Sequence, residues 1–88
     1  MRITIKAFGP EITSLLAREK TVDIKSGATA NDLVRRLEEE IKAEHGRNVG
    51  ILESSFTILI NGRNLEALRD RALRDGDNVT ILSPIGGG

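Results

Sequence analysis

No cysteine occurs in the chain, and that absence removes disulfides, thiolate nucleophiles and cysteine metal sites together. Aromatic residues are almost as scarce. Phe8 and Phe56 stand alone, without tryptophan or tyrosine, so there is no platform on which bases could stack. An excess of one charge sign is lacking too. Thirteen basic residues offset thirteen acidic ones, and a neutral chain has no field to draw it to nucleic acid or anionic lipid. No stretch approaches the ~18 consecutive apolar residues of a membrane span. The first residues, "MRITIK", alternate like a strand and lack the apolar run of a signal peptide. These absences set the expectation of a cytoplasmic protein with no direct nucleic-acid or membrane partner.

What is present fits one domain of 88 residues with a modest core. "RITIKAF" (Arg2 to Phe8) alternates, with Ile3, Ile5 and Ala7 on one face and Thr4, Lys6 and Phe8 on the other. Gly9-Pro10 ends that strand. "EITSLLAREK" carries Ile12, Leu15 and Leu16 at helical spacing and reads as a short helix or irregular turn. Lys20 to Lys25 alternates again, with Val22 and Ile24 inward, and Ser26-Gly27 is a turn. Thr29 and Asp32 have capping-box spacing ahead of the stripe Leu33, Val34, Leu37, Ile41. Glu38 and Lys42 are placed as a favourable i,i+4 pair. Gly46 is a natural helix terminator. "RNVGILESS" is loop-like, Phe56 to Ile60 is a strand, Asn61-Gly62 signals a hairpin, and Asp75-Gly76-Asp77 is a turn before the last strand, Asn78 to Ser83. The order is strand, strand, helix, strand, short strand, strand. One amphipathic helix can cover one face of a four- or five-stranded mixed sheet whose first and last strands pair in parallel at the centre. That is the α+β, ubiquitin-like β-grasp arrangement.

The body of this domain carries no constellation of catalytic groups. His45 has no converging partners by spacing, and its place at a helix end suggests an interaction with the helix dipole. Glu38, Glu39 and Glu40 are consecutive on a helix and so diverge; a solvated face is expected, not a metal site. Ser54-Ser55 has no nucleophile-elbow pattern. Arg63, Arg69, Arg71 and Arg74 alternate with Glu66, Asp70, Asp75 and Asp77, which suggests a mixed-charge surface or docking rim and not a phosphate cradle. Neither glycine-rich phosphate motif occurs.

Attention therefore falls on "SPIGGG", Ser83 to Gly88. Glycines at a chain end commonly mean fraying. Here they follow a strand and Pro84-Ile85 directly, with no serine-rich or charged linker. The expected division is a domain over residues 1–83 and a flexible tail over 84–88. The tail can reach roughly 15–20 Å at ~3.3 Å per residue. Glycine has no side chain to block a narrow channel. Fixing three glycine backbones costs ~3–6 kcal/mol, so contacts from the domain must offset that cost, and Pro84 would reduce it by restricting the root.

"RITIKAFGPEITSLL", "GATANDLVRRL", "ILINGRNL" and "LRDGDNVTILSPIGGG" resemble the ubiquitin-like sulfur carriers of the MoaD/ThiS kind over essentially the whole chain. The resemblance implies the β-grasp fold and a non-enzymatic carrier that binds no cofactor itself. A ubiquitin-activating-type adenylyltransferase would use ATP to adenylate the carboxylate of Gly88. A sulfur donor would then convert it to a thiocarboxylate, with Gly86 and Gly87 threading the active sites. The large subunit of molybdopterin synthase, or another acceptor enzyme, would receive the sulfur. The span from Gly9 to Thr21 and Pro84 resemble the molybdopterin-type carriers. A lysine-conjugated modifier, or a carrier for tRNA thiolation or thiamine synthesis, is the second reading, and an inert β-grasp interaction domain the third.

Contacts for the tail's partners are expected on the sheet face away from the helix. Phe8, Leu59 and Leu82 are apolar where alternation predicts solvent, and with Pro84 and Ile85 they form a candidate docking patch. The competing expectation is that the first loop or "GILESS" folds over them as a second small core.

Overall fold

The computed structural model describes residues 1–51, 53, 55–65 and 70–83. In chain order the elements are β1 (Arg2–Phe8), α1 (Pro10–Thr13), β2 (Glu19–Asp23), α2 (Ala30–His45), β3 (Thr57–Ile60), β4 (Arg63–Asn64) and β5 (Asn78–Leu82). They form one five-stranded sheet in the order β2-β1-β5-β3-β4. β1 and β5 are parallel and central; the other pairings are antiparallel. This is the β-grasp arrangement, with α2 as the one main helix.

Alternation decides which face is buried. Ile3, Ile5, Ala7, Val22, Ile58, Ile60, Val79 and Ile81 all point to one side, where they meet Leu33, Val34, Leu37 and Ile41 of α2 in one cluster. Ile12, Leu15, Leu16 and Ile51 belong to the same cluster. The first loop, and Ile51 of the "GILESS" segment, thus contribute to the helix-side core.

Strand ends follow from partner availability. Pairing of β2 ends at Asp23 because its partner Arg2 begins β1. Ile24 therefore lies past the strand, donates its N–H to the Met1 carbonyl at 2.9 Å and only partly joins the core. β5 ends at Leu82, opposite Phe8, the last residue of β1. Thr57, opposite Leu82, opens β3.

At the start of α2 both bonds of the capping box form: the Asp32 N–H donates to Thr29 Oγ1, and the Thr29 N–H donates to the Asp32 carboxylate. The Thr29 backbone bond is the main reason the Asp32 pKa lies below its ordinary value. A carboxylate depressed in the folded state stabilises fully above its unfolded pKa, and that contribution is lost as pH falls through the folded value. Thr29→Ala should cost ~1 kcal/mol in thermal unfolding and flatten part of that acid limb. The four buried aliphatics of α2, at ~1.5–3 kcal/mol each, outweigh the cap several-fold. Packing holds the helix, and the cap fixes where it starts.

The glutamate run does more than face solvent. Glu40 pairs with Lys20 of β2 at 2.9 Å. Glu38 accepts the Ile51 backbone N–H at 2.7 Å, so its carboxylate serves the loop and makes no ion pair with Lys42. The i,i+4 ion pair that does form is Arg36 with Glu40, at 4.0 Å.

Candidate functional site: the tail root and the open sheet face

Because β1 and β5 run in parallel, the chain leaves the sheet beside the turn that follows β1. Ser83 donates its N–H to the Phe8 carbonyl at 2.9 Å, one further bond past the Phe8–Leu82 pair. Its side chain is 7% exposed, and Oγ accepts the N–H of Ile12 at 3.0 Å across 71 positions of sequence. Ile12 is the third residue of α1. The residue in the N-cap position of that helix is Gly9, which has no side chain to offer. Ser83 supplies the missing cap from the other end of the molecule.

Gly9 makes room for this. Its φ of 101° and ψ of 150° fall in a region open essentially to glycine alone. A Cβ there would stand 2.5 Å from Ser83 Cβ and 2.7 Å from Oγ. Pro10, with φ fixed by its ring, starts α1 at once. Together these groups clamp residue 83, and any tail beyond it starts from a fixed point. Ser83→Ala leaves the buried Ile12 N–H without an acceptor. We expect a loss of ~1–3 kcal/mol, read as a lower urea midpoint at unchanged m.

Phe8 lies beside this clamp on the sheet face away from α2, 53% exposed. Leu82 is opposite Phe8 on one side and Thr57 on the other. Leu59 is opposite Thr80, hence diagonal to Leu82, within side-chain reach across neighbouring strands. The structure thus places Phe8, Leu82 and Leu59 on the same part of the open face, with Leu59 and Leu82 partly exposed. A shallow groove lined by Phe8, Gly9, Pro10, Thr13 and Arg18 borders the patch. Pro84, Ile85, Gly86, Gly87 and Gly88 lie outside the described residues, as does Ser54.

His45 occupies the last turn of α2, and its Nε2 lies 3.2 Å from the Leu15 carbonyl oxygen. It ties the helix end to the segment after α1. Among the described residues no three His, Asp or Glu side chains gather as a metal site, and no helix is long and apolar enough to cross a membrane.

Gly9 and Ser83 carry roles that the sequence reading missed. "GP" reads as a strand end and "SP" as a tail root, but nothing local joins residue 12 to residue 83.

The sequence model of the ThiS family matches residues 6–88. The chain belongs to the ThiS family. Its members are small ubiquitin-like carrier proteins of the MoaD/ThiS class. No curated protein matches the sequence. Among solved structures, small archaeal modifier protein 1 of Methanosarcina acetivorans is 27% identical at a TM-score of 0.71, with 99% of this chain and 96% of that one covered. The protein of the same name from Haloferax volcanii is 24% identical, with a TM-score of 0.76 and full coverage of both chains. A complex of subunits 1 and 2 of molybdopterin-converting factor from Helicobacter pylori includes a match at 20% identity and a TM-score of 0.57, again over both full chains. The last two likenesses, below 25% identity, show the β-grasp fold alone.

Proposed function

We propose that this ThiS-family chain is a sulfur carrier whose working atom is the carboxylate of Gly88. The observation that carries the reading is the clamp at Ser83 beside the exposed Phe8–Leu82 patch. A fixed root next to an apolar docking face lets a partner bind the domain and receive the tail in one register. In this reading Pro84 and Ile85 would add docking contacts when a partner binds, and Gly86 and Gly87 would pass through the narrow part of the partner's site. In the activating partner, of the ubiquitin-activating adenylyltransferase type, the carboxylate attacks the α-phosphate of ATP and pyrophosphate leaves. Sulfur from a donor then displaces AMP to give the thiocarboxylate. The domain itself contributes docking and positioning and catalyses neither step.

The receiving pathway we favour is molybdopterin synthesis, with the large synthase subunit as acceptor. The resemblance of the Gly9–Thr21 span and Pro84 to the molybdopterin-type carriers supports this choice, and the Helicobacter pylori complex of subunits 1 and 2 shows the kind of assembly it expects. The 27% identity to an archaeal modifier protein supports a second reading, attachment of the tail to lysines of other proteins. Incubation with an activating enzyme, ATP and a sulfur donor should replace one terminal oxygen by sulfur in the intact mass. No such change with any cognate enzyme, together with normal function after loss of Gly88, would leave an inert interaction domain. Lysine adducts bearing a Gly-Gly remnant in cells would favour the modifier.

The patch has its own test. Leu82→Asp puts a charge at the centre of the docking face without entering the core. At the ~2 kcal/mol of an interface hot spot, adenylation should fall ~30-fold while the unfolding midpoint moves little. Undiminished adenylation by a folded variant would remove Leu82 from the docking surface.

A further inference from the structure

At the opposite end of β5 from the tail root, a cavity of 130 Å³ opens between the β3–β4 turn and the segment leading into β5. Its rim carries Arg63, Arg71 and Arg74, and its floor includes Ile60 and Leu73. Among the described residues the one acid on its wall is Asp77, and that carboxylate is already engaged. Oδ1 accepts from the Asn61 side-chain amide at 3.0 Å, and Oδ2 from the Arg74 backbone N–H at 2.8 Å. None of the three guanidinium groups has an ion-pair or hydrogen-bond partner among the described residues. Along the chain the charge signs alternate, but among the described residues they separate in space; Glu66 and Arg69 lie outside those residues. Asp75 accepts the Arg2 backbone N–H at 2.7 Å, and neither it nor Asp70 lines the cavity.

The wall between these arginines is held in place. Asn61 exchanges two bonds with Asn78, N–H to carbonyl at 2.8 Å and Oδ1 from N–H at 2.9 Å. With Asp77 they form a closed network that fixes the hairpin turn against the start of β5. Other concave surfaces differ: the one beside Asp23 and Asp32 mixes three acids with three bases. Here a neutral protein concentrates planar, always-charged forks around a small rigid space. Guanidinium forks match tetrahedral and planar oxyanions bidentately, and a local excess of two positive charges suits a dianion better than a single carboxylate. Along the chain from Asp77 to Ser83 this cavity lies roughly 20 Å from the tail root at ~3.3 Å per residue. A ligand here would not occlude the Phe8 patch.

We propose that Arg63, Arg71 and Arg74 form an oxyanion site that takes a phosphate group, either free phosphate or a phosphate monoester. The test is an amide-resonance titration of the full chain with inorganic phosphate, against sodium chloride at equal ionic strength. Saturable shifts are expected at Asn61, Gly62 and Leu73 to Asp77, with half-saturation at or below the order of 1 mM. In Arg71→Gln/Arg74→Gln the half-saturation point should rise at least ~10-fold, a loss of ~1.4 kcal/mol, with the unfolding midpoint preserved. A parallel AMP titration assigns the source: saturation at a much lower concentration than phosphate marks a nucleotide monoester, and equal concentrations mark free phosphate. Shifts that grow linearly, that chloride reproduces, or that survive the double substitution would overturn the proposal. Tighter saturation of the same residues by a glutamate-rich peptide would also overturn it and assign the site to an acidic partner.

Discussion

Removal of Gly88 should reduce adenylate formation by at least ~100-fold and leave the unfolding midpoint where it is. Each tail residue spans ~3.3 Å, and a misplacement of ~1 Å at a reacting centre costs ~100-fold. A tail rooted at Ser83 cannot slide forward to make up the lost length, because residue 83 is held by Phe8, Gly9 and Ile12. A free tail on a loose root could compensate in part; a clamped one cannot. Pyrophosphate release with the activating enzyme measures the effect. Wild-type rates after the deletion would show that the carboxylate of Gly87 reaches the same position, and that the clamp at Ser83 does not set the length of the arm.

Gly9→Ala should give the largest stability loss of any single methyl added to this protein. Two costs fall on the same atom. The backbone at φ 101° and ψ 150° is strained for any residue with a Cβ, at ~1–3 kcal/mol. That Cβ would lie 2.5 Å from Ser83 Cβ, and overpacking adds ~1–3 kcal/mol. A total of ~2–6 kcal/mol at ~4–8 °C per kcal/mol lowers the thermal midpoint by ~10 °C or more. The substitution pushes directly on the tail root. Sulfur loading at a temperature where Gly9→Ala is still folded should therefore fall as well. A variant as stable as the parent would show that Ser83 can move away at little cost, and the clamp would not be rigid.

Much of the fold was legible because its signals are local. Period-two alternation placed β1 over Arg2–Phe8, and the Thr29 and Asp32 spacing located the start of α2. The parallel pairing of β1 with β5 followed from the order of elements, and it put Phe8 level with Leu82, as the register shows. Contacts between polar groups far apart in sequence were not legible. The bond from Ile12 to Ser83, the Glu38 carboxylate capping Ile51 and the separation of Arg71 from its neighbouring acids all depend on how segments meet in space. No periodicity encodes them. The same limit applies to the site. Misplaced apolarity marks Phe8, Leu59 and Leu82 in the sequence, but nothing local marks Ser83 as bonded to Phe8 and Ile12 beside them.

The central place of β5 has a bearing on protein quality control. The last strand in sequence sits between β1 and β3, and Val79 and Ile81 are among its buried side chains. A chain ending before Asn78 has two half-sheets with no strand to join them, and it exposes Ile3, Ile5 and Ile58 to solvent. Such a fragment is open to aggregation and proteolysis. The sheet closes only once β5 has been made, so the Phe8–Leu82 patch and the tail root appear together. Synthesis errors that end the chain before Asn78 thus remove the scaffold along with the arm, and only an end beyond Ser83 leaves a folded domain with a defective arm.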